Sequence, residues 1–155
     1  MCHYCGCREI PLIKEFIAEH ESVTDAAGGA LRALDRGDPT LAAELVAGME
    51  RELRAHWQGE EQGLFAVMGG DAEYAGYIDA LVREHRELAA FLGRVDLRRT
   101  DDVRQLREAV DELYRHIAKE EDGLFPASLT ALSGDEWDRS MRAWRAAHPE
   151  ADGDL

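Results

Sequence analysis

The sequence predicts an all-α fold, an antiparallel up-down four-helix bundle followed by a short fifth helix near the C-terminus. Apolar residues recur at steps of three and four along most of the 155 residues, which is the period of one helix face. Helix-breaking residues separate the apolar stripes, and the connections are too short for crossovers. We find no competing strand-like alternation.

Each of the four long helices has its own apolar stripe. The stripes run over residues 13–34, 41–64, 74–95 and 106–124. Proline, glycine and capping residues mark their ends. The predicted boundaries are Pro11 in the first turn of helix one, Gly37-Asp38-Pro39, Gly69-Gly70-Asp71, Arg98-Arg99-Thr100-Asp101, and Pro126, which should end or kink helix four.

A capping-box pattern predicts the fifth helix. In the segment 133–136, Ser133 is followed three residues later by Glu136. The chain is therefore expected to divide into a cysteine-rich segment (1–9), the bundle (10–130), and a C-terminal helix with a tail (131–155).

The composition argues against several classes of partner. The formal net charge of −14 repels nucleic acid phosphates and anionic lipids. There is no apolar run of the roughly 20 residues that a membrane-spanning helix needs. The first residues lack the basic start and apolar stretch of a signal peptide. We expect a cytoplasmic protein with no nucleic acid or membrane partner, and the oligomeric state is left open.

One segment of the sequence occurs twice. Residues 52–65 and 112–125 both contain a histidine, two adjacent glutamates four and five positions later, and then Gly-Leu-Phe. An upstream Glu-His pair precedes each copy, at His20 and at His85. The order His … His-x-x-x-Glu therefore runs twice through one small domain, which predicts a two-metal site with internal pseudo-symmetry.

Helical spacing supports this interpretation. Residues four apart share a helix face, so each repeat histidine points the same way as the first of its two glutamates. Several of these groups replace apolar residues in the core stripes, where an unpaired carboxylate costs several kcal/mol. A metal ion would neutralise it. The candidate ligands are His20, His56, Glu60, His85, His116 and Glu120.

The second glutamate of each pair is expected to have a different role. Glu61 and Glu121 lie about 100° further round the helix, so they should be solvated or support the ligands from outside. The alternative for any single histidine is that it is a core residue whose ring nitrogens are hydrogen-bonded within the protein and bind no metal. Motifs of rival metal sites are absent: no Glu-x-x-His pair or His-Glu-x-x-His occurs.

This pattern resembles the hemerythrin-like family, also called HHE cation-binding domains, over roughly residues 10–130. The resemblance implies a four-helix bundle around two non-haem iron ions, although the same ligands accept manganese or zinc. It also implies that His20 and His56 hold one ion and that His85 and His116 hold the other. Glu60 and Glu120 would then bridge the two ions.

The sequence departs from oxygen-carrying members at two points. The carriers have an additional histidine one turn from the position of His85. Here the residues one turn to either side are Leu81 and Ala89, neither of which can bind a metal, so a coordination position is left open. The carriers have an aspartate five residues after the histidine of the second repeat, whereas here Glu120 stands at four and Glu121 at five.

The open position predicts a protein that binds or reacts with a small ligand, namely oxygen, peroxide or nitric oxide, for sensing, storage or detoxification. Whether it is an enzyme is left open. The alternative is a non-catalytic, metal-dependent module for iron sensing or protein interaction.

The three cysteines of the chain form a second candidate site. Cys2, Cys5 and Cys7 lie beside His3 at the N-terminus. Such a cluster could bind zinc, form a reversible disulfide, or belong to an inert tail. As a zinc site it would need a further ligand, which His3 or His148 could supply.

Overall fold

The computed structural model describes residues 6–153, and within that range the regular structure is entirely helical. The all-α prediction is therefore confirmed. The α-helices are α1 (Ile13–Asp35), α2 (Pro39–Gln62), α3 (Leu64–Met68), α4 (Ala72–Leu92), α5 (Thr100–Lys119), α6 (Phe125–Ala131) and α7 (Gly134–Ala147). A π-helical turn (Glu120–Leu124) joins α5 to α6, and 3₁₀ turns occur at Cys7–Glu9 and Pro149–Gly153.

The four long helices contact one another in a ring. Helix α1 packs against α2 and α5, and α4 packs against the same two helices. Helices α1 and α4 each contact one apolar cluster first and a second cluster later. In the other direction the second cluster comes first: α2 and α5 contact it alone, and the first cluster is reached only afterwards, by α3 and by the π turn with α6. This alternation favours the antiparallel up-down order, which stays a prediction.

Helix starts follow the predicted capping chemistry. The Asp38 carboxylate accepts from the backbone N–H of Leu41 at 3.0 Å, and Pro39 occupies the first turn of α2. Asp71 accepts from the N–H of Glu73 and caps α4. The capping box at the start of α7 is present in both directions.

The ends of two helices differ from expectation. Helix α1 begins at Ile13, after Pro11 and a buried Leu12 with a φ of 75°. The chain stays helical through Pro126 to Ala131, and the widened π turn lies just before that proline. Since proline cannot donate the helical hydrogen bond, a loosened turn on its N-terminal side accommodates it.

Helix α2 breaks earlier than predicted, at Gly63 rather than at Gly69. A Cβ atom at Gly63 would lie 3.0 Å from the carbonyl oxygens of Gly59 and Ser140. A Cβ at Gly59 would touch Trp144 at 3.4 Å. These two glycines let α7 approach α2 closely. Because Gly63 is the glycine of the first Gly-Leu-Phe segment, α7 packs against the chain at that segment.

Two apolar clusters fill the interior, and His20, His56, His85 and His116 lie at the boundary between them. Along α1, for example, Phe16 belongs to one cluster and Val23 to the other, with His20 between them. Across residues 6–153, no helix combines the length and the apolar character needed to cross a bilayer.

The close approach of α7 gives a stability prediction. Gly63→Ala should lower the free energy of unfolding by about 1–3 kcal/mol, because its Cβ would meet backbone atoms that cannot move aside. Urea denaturation measures the change. Gly76→Ala in α4 is the matched control, since nothing lies within 4 Å of its Cβ position. That control should stabilise the protein by about 0.5–1 kcal/mol, and equal effects of the two substitutions would contradict the packing argument.

Candidate metal centre

The structure brings all six predicted ligand residues together. They come from α1, α2, α4, α5 and the first residue of the π turn. The two carboxylates have no solvent exposure, and the most exposed imidazole is 6% accessible. Six polar side chains therefore share one buried space in the middle of the helical ring: His20, His56, Glu60, His85, His116 and Glu120.

The imidazoles form two facing pairs. The Nε2 atoms of His20 and His56 lie 3.1 Å apart, and those of His85 and His116 lie 3.0 Å apart. Each pair combines with both carboxylates into a group whose possible ligand atoms all lie within 4.8 Å of one another. Each group could hold one cation.

The two carboxylates reach both groups. Glu60 turns Oε1 toward His56 Nε2 at 3.1 Å and Oε2 toward His85 Nε2 at 3.4 Å. Glu120 turns Oε2 toward His20 Nε2 at 3.2 Å, and its Oε1 contacts His116 Nε2. Each glutamate therefore spans the two histidine pairs, one oxygen to each side.

The donor set fits metal ions on a direct structural test. All four carboxylate oxygens of Glu60 and Glu120 are buried and accept no hydrogen bond. Buried polar atoms are nearly always hydrogen-bonded, because leaving them unpartnered costs free energy. Imidazole nitrogens and carboxylate oxygens converging without other partners are a ligand set for iron, manganese or zinc.

The electrostatics of the pocket favour positive charge. Burial opposes protonation of His56, but the charges of Glu60 and Glu19 outweigh it and raise the His56 pKa well above its usual value. Burial is likewise outweighed at His85, where contacts with Glu120 and Glu60 raise the pKa to about 10. Burial alone would raise the pKa of Glu120, yet the facing imidazoles hold it well below its usual value.

A second layer of carboxylates supports the imidazoles. His56 Nδ1 donates to Glu19 at 3.1 Å, His85 Nδ1 to Glu61 at 2.8 Å, and His116 Nδ1 to Glu84 at 2.9 Å. Glu121 lies 3.7 Å from His20 Nδ1. Such outer carboxylates fix the ring orientation of a ligating histidine and aim Nε2 at the metal.

Sequence reasoning anticipated half of this layer. Glu61 and Glu121 were expected to be solvated or to support the ligands, and both lie beside an imidazole. Glu19 and Glu84 were missed as site residues. The sequence feature that could have indicated them is the Glu-His dipeptide upstream of each repeat. In each dipeptide the glutamate accepts a hydrogen bond from a histidine of the following long helix, and not from the histidine next to it in the sequence.

Aromatic rings cover the imidazoles. Phe65 stacks on His85 at a centroid distance of 5.5 Å, and Phe125 stacks on His20 at 5.9 Å. These phenylalanines are the last residues of the two Gly-Leu-Phe copies. Each ring therefore packs on the upstream histidine of the other half of the repeat and shields it from water.

Tyr77 packs against the π turn that begins at Glu120. Tyr77 donates its hydroxyl hydrogen to the carbonyl of Lys119 at 2.6 Å. A Cβ at Gly123 would lie 2.8 Å from the same hydroxyl oxygen, so the second repeat glycine makes room for Tyr77. Glu120, at the four-residue spacing, contacts His116, whereas Glu121 faces His20.

Helix α7 also contributes to the site. Glu19 accepts from the indole N–H of Trp144 at 3.2 Å and pairs with His148. The His148 ring stacks on Trp144 at 4.4 Å, and its Nδ1 donates to the Trp144 carbonyl. The carboxylate that orients His56 is thus held by the C-terminal helix.

The second candidate site is only partly within the described chain. Cys2, His3 and Cys5 lie outside the described residues, and Cys7 is half-buried in the first 3₁₀ turn. His148, one suggested partner for the cysteines, contacts Glu19. A zinc or redox role for the cysteines stays a prediction.

The contact between Glu19 and His148 gives a second prediction. A double-mutant cycle with Glu19→Gln and His148→Gln should give a coupling free energy of about 0.5–3 kcal/mol, because the pair is largely shielded from water. Urea denaturation of the four proteins measures it. The control cycle uses Glu84 and Lys119, a more exposed pair at the equivalent place in the second half. Its coupling should be about 0–1 kcal/mol, and a coupling at Glu19 no larger than this would contradict the assignment.

Comparison with known sequences supports the geometry. No curated protein matches the chain, and no solved structure matches it. The hemerythrin HHE cation binding domain matches residues 12–128, a span that contains all six candidate ligands and ends before α7. Since the match covers most of the sequence, the chain belongs to the hemerythrin HHE cation-binding domain family.

Proposed function

We propose that the protein holds a non-haem di-iron centre inside an antiparallel four-helix bundle and binds or reacts with oxygen, peroxide or nitric oxide. His20 and His56 would hold one ion, and His85 and His116 would hold the other. Glu60 and Glu120 would bridge them. The observation that carries the proposal is that both buried glutamates turn one oxygen toward each histidine pair.

The burial of two carboxylates supports bound cations. The four oxygens of Glu60 and Glu120 accept no hydrogen bond, and such charges are too costly to leave buried without a positive charge. The same donors accept manganese, and zinc generally binds such ligands more tightly than ferrous iron does. Iron is proposed because the family is a cation-binding one and because imidazole with carboxylate suits iron.

The ligand count supports a reactive rather than a closed site. Each histidine pair with two carboxylate oxygens supplies four ligand atoms, and Leu81, at the place of one further imidazole, is buried in the apolar cluster. Bound iron with open positions would supply Lewis acidity and redox chemistry. The chain's own residues orient the imidazoles from outside and exclude bulk water.

Neighbouring glutamates give a prediction about metal content. Glu60→Gln should bind fewer than two ions per chain, because it removes a charged bridging ligand. Glu61→Gln should keep two ions but with about 10–100-fold weaker affinity, since it only supports His85. Elemental analysis after loading and dialysis measures both. Full metal content in Glu60→Gln, with unchanged affinity, would contradict the bridging role.

The functional proposal is tested with iron-loaded protein under anaerobic conditions. Addition of hydrogen peroxide, oxygen or nitric oxide should change the optical spectrum of the iron, and peroxide should be consumed if the centre is catalytic. The His85→Ala variant, which removes a ligand of one ion, should lose this response. A protein that binds iron fully but responds to none of the three would be the non-catalytic sensing or interaction module.

A further inference from the structure

A cavity opens on one side of the candidate centre. It has a volume of about 180 Å³ and is lined by both His85 and His116. Most of its remaining wall is apolar, from Trp57, Leu88, Phe91 and Leu113. A larger cavity, near Pro39 and Leu97, contains none of the six candidate ligands.

Trp57 forms part of the wall of this cavity. Its side chain is 8% exposed and stacks on His85 at a centroid distance of 4.9 Å. The indole N–H is buried and has no hydrogen-bond acceptor. An unpartnered donor is costly to bury, so an acceptor that reached this N–H would be favoured.

The acidic lining disfavours anions. Glu84, Glu87 and Glu112 are the acidic residues that line the cavity. Arg115 and Lys119 pair with Glu112 and Glu84 from outside the lining. With a net charge of −14 on the whole chain, a negatively charged ligand would be repelled, and a neutral one would not.

The other histidine pair is closed by comparison. The outer groove on that side is lined by Glu19, Trp144 and His148, and neither His20 nor His56 contributes to its wall. The repeat position that corresponds to Trp57 is Ile117, which offers no donor. The two halves of the pseudo-symmetric site therefore differ in access.

We propose that the cavity bounded by Trp57, Leu88, Phe91 and Leu113 is the substrate pocket, that it serves the His85/His116 side, and that it takes a neutral alkyl hydroperoxide. This deepens the proposed function and rests on it. The volume exceeds that of the roughly 150 Å³ cavity known to accept benzene, so it has room for an alkyl group besides the two oxygens. The apolar wall would bind the alkyl group, and the Trp57 N–H would donate to a peroxide oxygen.

The test uses the full chain loaded with zinc, so that binding is observed without redox turnover. tert-Butyl hydroperoxide is titrated while the indole N–H resonance of Trp57 is followed by NMR, with Trp57→Phe used to assign that resonance. We expect the indole resonance to shift and to reach saturation. Ala109→Leu, which narrows the cavity, should weaken binding of the hydroperoxide about tenfold. Leu88→Phe is a second cavity-filling variant, used if Ala109→Leu does not fold.

A matched control separates the two sides of the centre. Ala55→Leu places the same substitution in the groove near Glu19 and should leave the titration unchanged. An unmoved Trp57 resonance, or equal weakening by the two leucine variants, would overturn the pocket. A shift with hydrogen peroxide but not with the alkyl hydroperoxide would overturn the substrate class.

Metal content is measured separately, so failure of the centre and failure of the pocket are distinguishable. The indole resonance reports occupancy of the cavity in metal-free protein as well. Zinc content well below two ions per chain would contradict the proposed centre. A fully loaded protein with no ligand-dependent shift would contradict only the pocket.

Discussion

Two carboxylates buried in the middle of a helical protein are the constraint on which the rest of the structure depends. Glu60 and Glu120 are inaccessible to solvent and face four imidazoles. Burying such charges costs several kcal/mol unless positive charge compensates them. The four long helices each bring one histidine to this point, and two apolar clusters close it above and below. The fold therefore brings a candidate metal site together away from water.

In this centre, side chains from each half of the internal repeat pack against a histidine of the other half. Phe65 from the first half covers His85 from the second, and Phe125 covers His20 in return. Glu61 likewise supports His85 across the same boundary. Neither half contains a complete site, because His20 and His85 both rely on side chains from the other half. This arrangement makes the two halves mutually dependent in packing.

The surroundings then break the symmetry of the core. Helix α7 lies beyond the region matched by the family and packs against Gly59 and Gly63. Trp144 and His148 at its C-terminal end contact Glu19 and hold its carboxylate. The equivalent carboxylate of the second half, Glu84, is held by a surface lysine instead. One side of the centre is thereby covered, while the other adjoins a cavity. The two chemically similar half-sites therefore have different surroundings.

The sequence by itself determined the helical class, the caps at Asp38, Asp71 and Ser133, and the identity of the six candidate ligands. Those features depend on local spacing, since a period of three to four residues and a histidine four positions before a glutamate are visible along one helix. The break at Gly63, the roles of Glu19 and Glu84, and the cavity beside His85 were decided only by the tertiary structure. Each of them depends on contacts between helices that are distant in sequence. The residue spacing within a single helix does not specify which carboxylate, aromatic ring or cavity of another helix lies next to an imidazole.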